Sequence, residues 1–269
     1  GVGVMFYVLL ALRRKLRESA YALSAEADLS TLLDLVAVGT VADLVPLDVN
    51  NRALVGAGLR RLRSGQGCAG LRALIEVSGR EAAKLTAADI GFALAPRLNA
   101  AGRLEDMAIG IECLLTDDAM QAAELANILH GINAERRGVQ QQMTDEAESA
   151  LARFGHDVDG KVPIALCLFD PEWHPGVVGL VASKMKEKLH RPVIAFAPAE
   201  PGSTTLRGSA RSIPGFHIRD ALANVDSAHP SLMGKFGGHA MAAGLSLDQS
   251  NLPEFEAAFR EQASAMLDP

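Results

Sequence analysis

Four short segments of the sequence combine residue types that bind phosphate or metal ions. The first contains Asp43, a carboxylate within the apolar run LLDLVAVGTVADLVPL at residues 32–47. An unpaired buried carboxylate is costly, so this side chain must be solvated, hydrogen-bonded or bound to a cation. A metal ligand and an ordinary turn or helix-cap aspartate both fit the pattern. Because one aspartate cannot build a two-metal site, any further ligands must come from elsewhere.

The second segment is PRLNAAGRL, residues 96–104, in which Arg97 and Arg103 flank Asn99. Pro96 and the small residues predict that the preceding helix ends here and that the segment is irregular. Two guanidinium groups in such a segment would bind one phosphate with a bidentate geometry that lysine cannot match. Two solvated arginines on a surface loop are the alternative.

The third segment alternates polar and small residues. In a strand, Arg207, Ser209 and Arg211 share one face, and the intervening residues share the other. Two guanidinium groups and a hydroxyl on one face predict a phosphate clamp. A solvated strand face is the alternative.

The fourth segment is Gly237, Gly238 and His239, followed by the small residues of AMAAG. Paired glycines allow backbone conformations that expose N–H groups to an anion. His239 would stand beside that anion as a donor or positioning group. A glycine turn with an ordinary histidine is the alternative.

The elements that must position these residues follow from the hydrophobic pattern. Helices are predicted at residues 2–17, 50–63, 70–77, 86–94 and, as a long polar bridge between two domains, 117–154. Residues 32–47 predict a short helix that runs into a buried parallel strand and an active-site loop. Thr86, with Asp89 three residues later, marks a helix start.

The second half of the sequence predicts a compact α/β module after a turn-rich boundary at residues 157–161. Strands are predicted at residues 162–170, 192–198, 205–212 and 242–247, and helices at 174–190 and 253–266. Gly176 and Gly179, at the start of the first of these helices, indicate close packing rather than an anion site.

Composition limits the classes of function. A chain of 269 residues with 49% hydrophobic and 22% charged residues predicts two compact units with buried cores. Only 4% of the residues are aromatic, which argues against a base-stacking sheet, so a nucleic-acid strand would be held by its phosphates. The net charge of −6 excludes nonspecific coating of duplex DNA but not a local basic groove.

Cysteine usage and apolar runs indicate the compartment. Cys68, Cys113 and Cys167 are scattered and form no CxxC pair, which argues against a disulfide framework or structural zinc and favours the cytoplasm. The apolar run at residues 1–12 is too short to span a bilayer. The sequence also contains no G-x-x-x-x-G-K-[ST] phosphate loop.

The order and spacing of the motifs resemble those of the RecJ exonucleases of the DHH superfamily, over essentially the whole chain. The motifs are GTVADLVPL at 39–47, PRLNAAGRL at 96–104, RGSARS at 207–212 and GGHAMAAG at 237–244. The resemblance implies an α/β fold in which residues 1–115 are the end of a DHH parallel-sheet catalytic domain. Residues 116–156 would be a connecting long helix and residues 157–269 a smaller α/β DHHA1 domain.

The resemblance also implies a metal-dependent 5′ to 3′ exonuclease of recombination and repair that degrades single-stranded DNA with Mn²⁺ or Mg²⁺. It makes Asp43 a metal ligand and His239 a catalytic residue across the cleft from the metals. It assigns DNA and 5′-phosphate contacts to a set of polar and glycine residues: Arg97, Asn99, Arg103, Arg207, Ser209, Arg211, Gly237 and Gly238. The expected partners are single-stranded DNA and repair and single-strand-binding proteins, for a monomer with no membrane association.

The resemblance has limits that leave other functions open. The family's D-x-D segment and Asp-His-His triplet, which supply most of its metal ligands, would precede residue 1, and its OB domain would follow the DHHA1 domain. We therefore expect a piece cut at both ends that is inactive alone. One alternative is a DHH-family phosphodiesterase acting on oligoribonucleotides, cyclic dinucleotides or polyphosphate. Another is a noncatalytic nucleic-acid-binding module.

Overall fold

A computed structural model of the chain describes residues 1–19, 27–157 and 163–267. The chain divides into two units, residues 1–135 and 136–269. Each unit has its own hydrophobic core.

The described part of the first unit is helical. Its elements are α1 (Val2–Glu18), α2 (Leu33–Ala42), α3 (Val49–Arg63), α4 (Ala69–Val77), α5 (Ala87–Asp89), a π-helical turn (Ile90–Leu94), α6 (Ala95–Leu104), α7 (Ala108–Leu115) and the first part of α8 (Ala119–Asp157). The predictions for α1, α3, α4 and α8 are confirmed to within a few residues at each end.

The parallel strand predicted within residues 32–47 is wrong, because this run forms α2. The helix packs so closely on α3 that a Cβ at Gly58 would lie 2.1 Å from the carbonyl oxygen of Leu33. A helix that is covered on several sides has apolar residues all round and no polar face. A short apolar run of this kind cannot be assigned to helix or strand by periodicity alone.

The buried carboxylate of this run is Asp34 rather than Asp43. Asp34 is fully buried, and its two oxygens accept hydrogen bonds from the backbone N–H groups of Leu35, at 2.8 Å, and Cys68, at 2.7 Å. These bonds offset the cost of burying the carboxylate and fasten the start of α4 to α2.

The prediction that Pro96 ends a helix is also wrong. Thr86 and Asp89 form the predicted capping box, and the helical run continues through the π turn into α6, with Pro96 in its first turn. Pro96, which has no N–H to donate, lies where the hydrogen-bond ladder changes from π to α: the N–H of Ala95 bonds to the carbonyl oxygen of Ile90, five residues earlier. The motif at residues 96–104 is therefore helical.

The second unit contains a mixed five-stranded sheet with the strand order β1-β2-β3-β5-β4. The strands are β1 (Leu166–Phe169), β2 (Val193–Pro198), β3 (Thr205–Arg211), β4 (Phe236–Gly238) and β5 (Ala242–Asp248), and the helices are α9 (Val178–Leu189), α10 (Ile218–Ala228) and α11 (Leu252–Met266). Strands β1 and β2 are parallel, and the other pairs are antiparallel. The α/β fold class is confirmed.

The two faces of the sheet have different coverings. Side chains of β2, β3 and β5 pack with α10 and α11 in a core that includes the ring contacts among Phe196, Phe216, Phe255 and Phe259. The other residues of β3 project from the opposite face of the sheet, where they lie against α9. Sequence analysis missed α10 and β4, and the predicted boundary at 157–161 lies mostly outside the described residues.

Candidate phosphate-binding site

Arg211, at the end of β3, is the centre of a polar cluster on the face covered by α9. Its Nη1 donates hydrogen bonds to Ser209 Oγ at 3.0 Å and to the carbonyl oxygen of Ala210 at 2.9 Å. Its Nε donates to Ser183 Oγ of α9 at 3.1 Å. The arginine is half-buried, so its guanidinium group is held in a defined orientation at the surface.

Gly179, in the first turn of α9, allows this cluster to form. A Cβ at this position would lie 2.8 Å from Arg211 Nη2 and 2.9 Å from Ser209 Oγ. The close packing predicted at the start of α9 is therefore present, and what packs there is the polar cluster. Sequence analysis missed Ser183, which lies one helical turn after Gly179.

The register of the sheet brings the glycine-rich segment to the same region. Ser209 pairs with Gly244 of β5, and Gly244 pairs with Gly237 of β4, so these residues form one row across three strands. Arg211 pairs with Ala242 in the neighbouring part of the sheet. Directly paired residues of adjacent strands project on the same face.

The β4–β5 turn places His239 beside this row. The backbone N–H of His239 donates to the carbonyl oxygen of Ala242 at 2.8 Å, and its side chain is exposed. Gly238 has φ +148°, and a Cβ there would lie 2.4 Å from the same carbonyl oxygen. Only glycine fits at this position, whereas a Cβ at Gly237 would meet nothing within 4 Å.

Arg207 shares the face of Ser209 and Arg211 and lies two residues away along β3. It pairs with Ala197 of β2 and Ser246 of β5, and it is exposed. The structure therefore brings together the residues predicted in the second unit, with Arg207 at the edge of the group.

Asp43 is exposed at the end of α2. The helix ends in a Schellman motif, in which the N–H of Leu44 bonds to the carbonyl oxygen of Val41 and that of Val45 to Thr40. Within the described residues, no three His, Cys, Asp or Glu side chains lie together so that they could hold a metal ion. Asp43 is therefore not part of such a group among the described residues.

The residues predicted at 96–104 are separated by the helical geometry of α6. Arg97 is buried, and its Nη1 donates to the carbonyl oxygen of Ala93 at 2.6 Å. Its Nε and Nη2 lie 3.3 and 3.1 Å from His130 Nδ1 of α8. Asn99 is exposed and Arg103 half-buried.

Arg97 and Arg103 lie on a helix and not in the irregular segment that the sequence predicted. Six residues along a helix correspond to a rotation of about 240°, so the two side chains leave α6 in different directions. Asn99 and Arg103 are four residues apart and lie on one face. His130, to which sequence analysis assigned no chemistry, is a hydrogen-bond partner of Arg97.

Residues 159–265 match the family model described as the DHHA1 domain. The matched residues include the Arg211 cluster and the glycine-rich hairpin. Among the described residues, no helix is both long and apolar enough to cross a lipid bilayer.

The whole chain is similar to RecJ proteins, which confirms the expected resemblance. It is 53% identical to the single-stranded-DNA-specific exonuclease RecJ of Dickeya dadantii (strain 3937), over 100% of this chain and 46% of that protein. The chain thus spans about half the length of the curated relatives it matches.

Two crystal structures of RecJ from Thermus thermophilus have the same fold. The complex with Mg²⁺ has a TM-score of 0.74 and 35% identity, and it covers 89% of this chain and 35% of that one. The complex with Mn²⁺ has a TM-score of 0.74 and 37% identity, with 89% and 34% coverage.

Proposed function

We propose that this chain contributes the strand-holding part of a metal-dependent 5′ to 3′ exonuclease of recombination and repair that acts on single-stranded DNA. The observation that carries the proposal is the cluster of Ser209 and Arg211, aligned by the sheet with Gly237, Gly238 and His239. The RecJ name of the relatives supports the choice of single-stranded DNA over the small substrates of other DHH phosphodiesterases.

The chemistry of the cluster suits a terminal phosphate. The bonds to Ser183, Ser209 and Ala210 orient the positively charged guanidinium group of Arg211. In the described part of the chain, the Ser209 hydroxyl accepts from Arg211 and donates to no acceptor, so its O–H can donate to a phosphate oxygen. We assign the 5′ phosphate to this cluster and the following phosphate to Arg207.

The glycine-rich hairpin would contact the strand through its backbone. The exposed backbone at Gly237 lets a phosphate approach closely. His239 would act from the adjacent turn as the catalytic donor to a phosphate oxygen. Both roles are contacts made by this chain's own residues.

The first unit would contribute Asp43, Arg97, Asn99 and Arg103. We propose that Asp43 supplies one oxygen ligand to Mn²⁺ or Mg²⁺, ions that promote phosphodiester hydrolysis. Asn99 and Arg103 would hold the strand from one face of α6. Arg97 could join them only if its guanidinium group left Ala93 and His130.

The domain organisation and setting of the protein are part of the proposal. We propose that residues 1–115 are part of a DHH domain, 116–156 the connecting helix and 157–269 the DHHA1 domain. The absence of a CxxC pair among the three cysteines supports a cytoplasmic location. We also propose a monomer that works with repair and single-strand-binding proteins.

A binding assay tests the assignment of the 5′ phosphate. Fluorescence polarisation would compare 5′-phosphorylated and 5′-hydroxyl forms of one labelled single-stranded oligonucleotide. We expect tighter binding of the phosphorylated form and loss of that preference in Arg211→Ala. The matched control is Arg219→Ala, which removes an exposed arginine from α10. Equal binding of both oligonucleotides by the unaltered chain would overturn the assignment.

An activity assay tests the role of the metal. Because the described residues lack a group of three metal-binding side chains, we expect the chain alone to release no mononucleotides from 5′-labelled single-stranded DNA with Mn²⁺. Robust metal-dependent release would contradict this expectation. If binding were unaffected by EDTA and the longer protein were also inactive, a noncatalytic binding module would be the better description.

A further inference from the structure

We infer that Ser183 of α9 is a positioning residue that orients Arg211 toward a terminal phosphate, and that it thereby sets the preference for a 5′-phosphorylated end. The inference rests on the proposed function and extends it to an element outside the recognised motifs. It derives from the hydrogen bonds that cross from α9 to β3.

The Ser183 hydroxyl has a defined polarity. Its O–H donates to the carbonyl oxygen of Gly179 at 2.9 Å, one turn earlier in α9. Its oxygen then accepts from Arg211 Nε at 3.1 Å. Because the donor role is taken by the helix backbone, the lone pairs of Ser183 point toward the guanidinium group.

Two serines from different elements fix the guanidinium plane. Ser183 holds Nε from the helix, and Ser209 holds Nη1 at 3.0 Å from the strand. A planar group fixed at two of its nitrogens is fixed as a whole, including the direction of Nη2. The direction of Nη2 decides where its N–H groups can meet a phosphate oxygen, so fixing the plane fixes the position at which a phosphate is bound.

Gly179 gives the guanidinium group the space that this orientation needs. A Cβ there would lie 2.8 Å from Nη2 and would force the group to move. The same residue supplies the carbonyl oxygen that orients Ser183. Gly179 and Ser183 thus act on Arg211 from one turn of α9.

The decisive variant is Ser183→Ala in the 269-residue chain. We expect the ratio of affinities for 5′-phosphorylated over 5′-hydroxyl oligonucleotide to fall about tenfold, which is the usual effect of losing one hydrogen bond to a charged group. The affinity for the 5′-hydroxyl form should not change. Ser183→Thr, which keeps the hydroxyl, should restore the ratio.

Two further variants test the geometry. Gly179→Ala keeps the Ser183 hydroxyl but places a methyl group against Nη2, so it should lower the same ratio. In the double variant Ser183→Ala, Arg211→Ala, the ratio should equal that of Arg211→Ala alone, because Ser183 acts through the arginine.

The matched control is Ser227→Ala on α10. Ser227 makes the same type of bond to the preceding turn, donating to the carbonyl oxygen of Ala223 at 2.8 Å, and it belongs to α10, which packs on the other face of the sheet from α9. It should leave the ratio unchanged. Thermal unfolding of each variant, followed by circular dichroism, identifies any that fails to fold; if Ser183→Ala fails, Ser183→Cys, whose sulfur is a much weaker acceptor of similar size, carries the test with the same expected fall in the ratio.

The outcomes separate this inference from the function on which it rests. If the unaltered chain shows no preference for a 5′ phosphate, the proposed phosphate site fails. If the preference exists and is lost in Arg211→Ala but not in Ser183→Ala, only the role of Ser183 fails. Equal weakening of both oligonucleotides by Ser183→Ala would show a purely structural role and would also overturn the inference.

Discussion

The predicted site residues come together in the second unit and separate in the first. In the second unit, residues from two motifs separated by about thirty positions come together, because β3, β5 and β4 are neighbours in register. In the first unit, residues from one nine-residue motif separate, because α6 turns Arg97 and Arg103 in different directions. Residues that are close in sequence therefore separated on α6, whereas residues far apart in sequence came together through strand pairing.

The physical reason lies in the period of each element. A strand repeats every two residues, so the alternation at 207–211 places its polar side chains on one face whatever the partner strands are. A helix repeats every 3.6 residues, so the same polar residues are divided among several faces. An irregular loop has no fixed period, so the prediction of a loop at 96–104 could not show that Arg97 and Arg103 point in different directions.

The largest effect should come from Gly238→Ala in the β4–β5 hairpin. The new Cβ would overlap the carbonyl oxygen of Ala242 and place alanine at φ +148°. We expect a loss of about 3 kcal/mol in the free energy of unfolding, measured by urea denaturation. Gly237→Ala is the control, since a Cβ there meets nothing within 4 Å. Similar losses for both variants would show that the hairpin does not depend on this one residue.

The second effect concerns Arg97 in the first unit. Arg97→Met should lower the free energy of unfolding by about 2 kcal/mol, because it removes buried hydrogen bonds made by a charged group. Asn99→Ala, at an exposed position of the same helix, should change it by less than about 0.5 kcal/mol. If Arg97→Met left the free energy of unfolding unchanged but weakened DNA binding, Arg97 would instead be a phosphate-binding residue like Arg211.

A smaller effect is expected beside Asp43. Leu44 is 88% exposed and has φ +52° in the helix-ending motif. Leu44→Gly should relieve this strain and raise the free energy of unfolding by about 0.5–1 kcal/mol. Leu44→Ala keeps the positive φ and should give no such gain. If alanine stabilised as much as glycine, removal of exposed apolar surface would be the cause.

The smallest effect is a pH dependence in the first unit. Hydrogen bonds from the Thr86 hydroxyl and backbone N–H hold the pKa of Asp89 below its ordinary value of 3.8. The folded-state pKa is lowered, so the stabilisation is present above pH 3.8 and is lost as pH falls through the folded-state pKa. The difference in unfolding midpoint between Asp89→Asn and the unaltered chain should therefore shrink from about pH 7 to about pH 2. A constant difference would contradict the role of the carboxylate charge.

Most helices and strands could be predicted because their patterns are local. Two of the exceptions have a clear physical cause: β4 is three residues long with two glycines, and α2 lacks a polar face. For the site, the alternation of Ser209 and Arg211 was visible in the sequence. Ser183 was not, since an amphipathic helix uses serine at many positions for unrelated reasons.

The sequence by itself determined the family resemblance, the fold class and which residue types are available for phosphate binding. The tertiary structure alone decided which of them meet. Ser183 and Arg211 are 28 positions apart and touch because Gly179 lets α9 approach β3. Arg97 and His130 are 33 positions apart and meet because α8 lies beside α6. Such contacts depend on packing between distant segments, which no local pattern encodes.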